Sequence, residues 1–336
     1  MKPKKKEITA ILRFTVEKQI PIINHGSRIT SKAIFALLLA LGASGLLAAP
    51  SFSEWSPPVN LGPTVNTGFI DAGPALSKDG LSLYFNSDRP GGFGGNDIWV
   101  SQRASREDAW GAPVNLGPTI NTAANEDAPS FSRDGHTMYF NSDRVGSFGS
   151  RDIYISRRTN TRDDFGWKEP VNAGPGVNSA FIDSGPSYLA NEEAGPPLLY
   201  FGSNRLAGLF DIYVSAQALD GSWGPAALVP ELSSPLNEQH PSVRFDGLEL
   251  FVDSDRLGGF GLRDLWVSTR ETTLDPWSAP VNLGATVNST FIDQQPFIAS
   301  DRETLFFAST RPGGLGNLDI YMTTRERTRT TSALAR

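Results

Sequence analysis

Five carboxylates recur at one place in this sequence. Asp71, Glu126, Asp183, Glu238 and Asp293 each stand three residues before a proline: Pro74, Pro129, Pro186, Pro241 and Pro296. Set at one level around an axis, they would repel one another. A divalent cation, hydroxyl donors from a ligand, or raised pKa values would relieve that repulsion. Two of them would also serve a glycoside hydrolase as acid and base or nucleophile, with Asp71, Asp183 and Asp293 as the candidates. The other arrangement carries no chemistry: each carboxylate caps its own turn, accepting bonds from nearby backbone N–H groups. Phe69, Phe181 and Phe291 precede three of the acids in the tripeptide FID, while the other two copies read NED and NEQ, ending in Asp127 and Gln239. Aromatic faces beside carboxylates suit a sugar, whose C–H face stacks while its hydroxyls donate. Phenylalanines at such places also serve as lids over a core.

Other chemistry is excluded by counting. The chain has no cysteine, and His25, His136 and His240 are its only histidines. Disulfides, zinc-thiolate sites, cysteine nucleophiles and a His-rich metal centre are therefore ruled out. A Ser-His-Asp centre would have only His240 to use near the acids.

The acids belong to a repeat. LYFNSDRPGGFGGNDIWVSQR, residues 83–103, returns as MYFNSDRVGSFGSRDIYISRR, LYFGSNRLAGLFDIYVSAQ, LFVDSDRLGGFGLRDLWVSTR and LFFASTRPGGLGNLDIYMTTR. The prolines lie 55, 57, 55 and 55 residues apart, and Asp97, Asp152, Asp211, Asp264 and Asp319 keep the same rhythm. Each unit contains four short strand signals. They are a segment such as GPALS, an apolar strand such as SLYFNS often reached through an Asp-Gly turn, an alternating strand such as DIWVSQR, and a segment such as W..PVNLG. Four strands per unit with no helix between them is the pattern of a propeller blade. The fifth unit ends before its tryptophan segment, and that segment stands near the start instead, as EWSPPVNLG. The sequence thus predicts an all-β, five-bladed propeller of four-stranded blades whose N-terminal strand closes the last blade. The glycines then belong to loops between strands. A phosphate loop needs Lys-Ser/Thr and a helix after them, and calcium nonapeptides have another period.

The motif S.DG..LYF.SDRPGG.GG.DIY.S.R, followed by W..P.NLG..VNT, resembles the PD40, or WD40-like, propeller repeats, which also occur in the TolB propeller. The resemblance covers Trp55 to about Arg325. It implies an envelope-associated binding or assembly role and brings no catalytic residues. The separate N-terminal domain of TolB has no counterpart in this sequence, nor does a peptidoglycan-binding domain follow the repeats.

The remaining expectations follow from position. Ser87-Asp88-Arg89 and its equivalents should form a network with the aspartate opening the third strand, since a buried guanidinium needs carboxylates. Trp110, Trp167, Trp223 and Trp277 should pack between blades. The third unit departs from the pattern, with an insertion in LANEEAGPPLLYF and Asn204 in place of the motif aspartate, and such loops carry specificity on regular scaffolds.

Residues 1–50 read as a signal peptide or an N-terminal anchor: a basic stretch followed by the apolar run AIFALLLALGASGLLAA. Without the eight Lys and Arg and two Glu of that stretch, 22 basic residues face 34 acidic ones, a formal charge of −12. Such a surface argues against nucleic-acid or anionic-membrane binding. The expected protein is a periplasmic or secreted monomer with its propeller over 54–326 and a short disordered tail over 327–336. It would be a non-catalytic module recognising an envelope protein or glycan through the channel face, with a carbohydrate-active enzyme as the alternative. No cofactor is expected beyond a divalent cation in the channel. Its ligand residues would be the five acids with Phe69, Phe181 and Phe291.

Overall fold

The computed structural model describes residues 51–328 apart from 193 and 207. The leader over 1–50 and the end of the tail lie outside the described residues.

Five antiparallel four-stranded sheets form the blades of a propeller. The inner strands are Asp71–Leu76, Glu126–Phe131, Asp183–Leu189, Glu238–Val243 and Asp293–Ile298. The second strands are Ser82–Ser87, Thr137–Ser142, Leu198–Ser203, Glu249–Ser254 and Thr304–Ser309. The third strands are Asp97–Gln102, Asp152–Arg157, Asp211–Ala216, Asp264–Thr269 and Asp319–Thr324. Each outer strand has only two residues: Val114–Asn115, Val171–Asn172, Ala227–Leu228, Val281–Asn282 and, for the fifth blade, Val59–Asn60. That last strand pairs with Met322 and Tyr321, so the N-terminal segment closes the ring as the sequence predicts. Closure also runs further than the predicted boundaries of 54 and 326, because Ser51 and Phe52 pair with Thr328 and Arg327.

Second strands lie mid-blade, and their central residues, Leu83, Tyr84 and Phe85 in the first blade, are apolar and buried on both faces. The tryptophans fill the joints. Trp167 meets Tyr84 of the preceding blade edge-on, and Trp223 meets Tyr139, Trp277 meets Tyr200 and Trp55 meets Phe251 in the same way. Edge-to-face pairing of this kind adds about 0.5–1.5 kcal/mol beyond area burial. The asparagine of PVNLG also has a structural task. The side-chain amides of Asn60, Asn115, Asn172 and Asn282 donate to the aspartates opening their third strands at 2.7–2.8 Å. The third blade has Ala227–Leu228 there, and burial pushes the carboxyl of Asp211 up.

Every inner strand carries a register shift at its proline. Proline has no N–H for the ladder, and the residue before it takes a positive φ: Gly73, Ala128, Gly185, His240 and Gln295 lie between 44° and 61°. These bulges bend the inner strands at the channel.

Candidate functional site

The five predicted acids take the capping arrangement, and the ring of free carboxylates is not formed. All five are fully buried. Each accepts from the backbone N–H four residues earlier, on Thr67, Thr122, Ser179, Ser234 or Ser289, at 2.6–2.8 Å. The hydroxyl of that same residue donates as well, at 2.6–2.8 Å. The arginine of the S-D-R motif completes the cap. Arg89 meets Asp71, Arg144 meets Glu126 at 3.1 Å, Arg205 meets Asp183 at 2.5 Å, Arg256 meets Glu238 at 3.1 Å and Arg311 meets Asp293 at 2.5 Å. The same guanidiniums donate to backbone carbonyls of the loop before the strand.

One of the two expected arrangements of the acids is taken, and the expected arginine network is overturned. The arginine network goes to the acid of the first strand in every blade, while in four blades the third-strand aspartate accepts from an asparagine amide and from glycine-loop N–H groups such as that of Phe93. The first-strand acids, in turn, spend their oxygens on arginine and on their own turns instead of facing the axis. Among the described residues no group of three or more His, Asp or Glu could hold a metal ion. Phe69, Phe181 and Phe291 are 42, 49 and 40 % exposed and lie beside the glycine loops of neighbouring blades, as the Phe181 carbonyl shows by accepting from Ser150 N–H.

The channel is lined by other positions. A narrow cavity of about 60 Å³ runs between the five prolines, and a wider, polar one of about 310 Å³ opens above it. His240 and Gln295 line both. The wall of the wider mouth takes from every blade the residue two before the proline and the residue before the third strand, joined by His240 and Gln295 and by Asn86 and Asn141 of the second strands. The position before the third strand holds Asn96, Arg151, Phe210, Arg263 and Leu318, one from each blade.

Two charged clusters stand here. In the second blade Arg151 lies 3.0 Å from Asp127 and 3.9 Å from Asp143. Burial pushes the Asp127 carboxyl up, and Arg151 and a hydrogen bond from Asn96 only partly offset it. In the fourth blade His240 Nδ1 lies 2.8 Å from Asp253, and Arg263 lies 3.1 Å from the other oxygen. Gln295 N–H donates to Asp253 at 3.0 Å. Asp253 is fully buried, yet His240, Arg263 and that N–H outweigh burial and hold its carboxyl below the usual range.

Sequence reasoning passed over Arg151, Asp253 and Arg263, and it noted Asp127 and His240 only in passing. Their signal was departure from the repeat. The second-strand position that reads Asn86 and Asn141 reads Gly202, Asp253 and Ala308 in the other blades.

No family model matches the chain, and no curated protein sequence matches it either. Solved structures do share the fold. The α-L-arabinofuranosidase PaAbf62A from Podospora anserina, in complex with cellotriose, is 12% identical with a TM-score of 0.54, covering 83% of this chain and 98% of that one. The GH43_1 enzyme from Xanthomonas citri, complexed with xylotriose, is 17% identical with a TM-score of 0.53, covering 79% and 89%. A putative TolB from Agrobacterium tumefaciens is 13% identical with a TM-score of 0.47, covering 83% and 99%. At these identities the likeness is one of fold.

Proposed function

We propose that this chain is a non-catalytic binding propeller of the cell envelope that takes the end of a glycan in the mouth of its channel. The observation that carries this reading is the state of the carboxylates. Glycoside hydrolysis needs two carboxyl groups facing each other across the scissile bond. Among the described residues Asp127 is the only acid lining the mouth, and it is bound by Arg151. Asp253 lies behind His240 and Arg263, fully buried. What remains at the mouth is a set of side-chain amides and guanidiniums, with Phe210 in the wall and Phe69, Phe181 and Phe291 exposed on loops beside the acid caps. Amides bond sugar hydroxyls and aromatic rings stack on sugar faces. The basic stretch and apolar run ahead of the propeller support placement outside the cytoplasm.

A second reading, a glycoside hydrolase, is favoured by the sugar-cleaving enzymes among the solved neighbours. One experiment separates the two. The full chain is titrated calorimetrically with a panel of cell-wall oligosaccharides, and the same mixtures are assayed for released reducing sugar. Saturable binding that Gln294→Trp abolishes by filling the mouth, without sugar release, is the expected result. Sugar release that disappears in Asp127→Asn would establish the hydrolase instead.

A further inference from the structure

Hydrogen-bond direction around the mouth can be read without ambiguity, because a backbone N–H and a guanidinium only donate. Ala128 N–H donates to Asn86 Oδ1 at 3.2 Å, Gly185 N–H to Asn141 Oδ1 at 3.0 Å and Gly73 N–H to Gln295 Oε1 at 3.1 Å. Arg263 Nη1 donates to Gln239 Oε1 at 3.1 Å. All four amides line the mouth, and in each the oxygen is turned into the protein. Their amino groups are the ends left for the cavity. The bulges produce this bias. At Gly73, Ala128 and Gly185 the positive-φ residue before the proline aims its N–H at an amide oxygen of a neighbouring blade, and Gln295 aims its own at the Asp253 carboxylate.

The three carboxylates of this region are occupied as well. Asp127 takes Arg151 and Asn96, with the Asn141 amide at 3.5 Å. Asp253 takes His240, Arg263 and Gln295 N–H, and Asp143 takes Asn125 through its backbone N–H and its side-chain amide. The mouth therefore offers more donors than free acceptors, the buried Asn96 Oδ1 being an acceptor without a protein partner. Its two cations, Arg151 and Arg263, occupy the same place in their blades, the residue before the third strand, and Phe210 holds that place in the blade between them.

From this we infer that the mouth selects a sugar bearing a carboxylate, a uronic-acid residue, with the acid received by Arg151 and Arg263 and the hydroxyls by the amide amino groups. The inference rests on the reading of the mouth as a glycan site. A carboxylate offers two oxygens that only accept, and guanidinium is its geometric match. An extended peptide fits poorly, since each of its N–H groups needs an acceptor and most of those at the mouth are already used. Sugar hydroxyls can accept wherever only donors are offered. A neutral sugar would accept from the two guanidiniums without the charge-assisted, two-oxygen match that a carboxylate makes.

The test is calorimetric titration of the full chain with trimers of galacturonate, mannuronate and guluronate. Each trimer is compared with its methyl ester, which keeps the ring and removes the charge. A tripeptide with a free C-terminus is the third arm. At least one acid trimer should bind at least about tenfold more tightly than its ester, the gain expected of charge-assisted hydrogen bonds. The double variant Arg151→Gln/Arg263→Gln, with its melting temperature checked, should bring acid and ester level. An ester that binds wild type as well as its acid overturns the carboxylate inference and leaves the glycan reading standing. The wild-type comparison gives that answer even if the double variant does not fold. Binding of the tripeptide alone, or of none of these compounds by a folded chain that also ignores neutral oligosaccharides, overturns both.

Discussion

The acid caps and the channel mouth are built from residues that are neighbours in every inner strand, and they follow opposite rules. Asp71 and its four equivalents are followed at once by Ala72, Asp127, Ser184, Gln239 and Gln294. The first set is an acid in every blade, bonded to the same arginine, hydroxyl and backbone N–H, and fully buried. The second set differs between blades and looks into the mouth. Strand geometry explains the divide, because successive side chains leave the backbone on opposite faces. One face meets the joint that every blade must make. The other meets an axis where the blades converge, and five identical side chains there would make a fivefold-symmetric hole. Repetition marks the scaffold, and broken repetition marks the place where a ligand can be read.

The largest effect should come from the caps. Asp293→Ala leaves the mostly covered Arg311 without a carboxylate, with only Ser309, a backbone carbonyl and the Phe307 and Tyr321 rings around it, and breaking a buried pair costs about 3–5 kcal/mol. Urea melts of alanine variants at Asp71, Glu126, Asp183, Glu238 and Asp293 should all fall in that range. One silent position among the five would break the comparison, because that acid would no longer be scaffold.

A smaller loss is expected at Asp253, which belongs to the mouth but is as buried as a cap. Asp253→Asn exchanges charge-assisted bonds from His240 and Arg263 for neutral ones, at a cost of about 1.5–3 kcal/mol. Its carboxyl is held below the usual range in the folded protein, because His240, Arg263 and the Gln295 N–H outweigh burial. Its contribution is then complete above the ordinary aspartate value near 3.8 and is lost as the pH falls through the lower folded-state value. Melts of wild type and variant should converge in acid. If they run parallel from neutral to acid pH, the carboxylate is not what holds the cluster.

The ring was legible because each of its elements repeats. Prolines at constant spacing, Asp-Gly turns and the displaced EWSPPVNLG segment state the number of blades and the way they close. The caps were half legible. The acids and the arginines were each recognised as repeated, but which acid meets which arginine depends on strand pairing, and both choices satisfy the rule that buried guanidiniums need carboxylates. The mouth was hardly legible. Asp253 reads as a variant of the Asn in YFNS, and Arg263 as a loop residue. Their meeting with His240 requires knowing that the bulge before Pro241 turns His240 toward the second strand of its own blade. Aligning the repeats to find what they share hides such positions, and aligning them to find where they differ exposes them.

The smallest effect, and the finest test of the divide, is at Asp127. Burial pushes its carboxyl up despite Arg151 and Asn96, so its charge is a strain on the fold at neutral pH. The folded protein holds a proton there more tightly than the unfolded chain does. Stability from this group therefore rises as the pH falls through the folded-state value and levels off below the ordinary one near 3.8. Asp127→Asn keeps an oxygen for Arg151 and removes the buried charge. It should change stability at pH 7 by less than about 1 kcal/mol, and any gain should vanish in acid. A loss at pH 7 as large as that of Asp293→Ala would place Asp127 with the scaffold. In that case the mouth would have no acid of its own, and its two arginines would be counterions of the fold instead of receptors for a ligand.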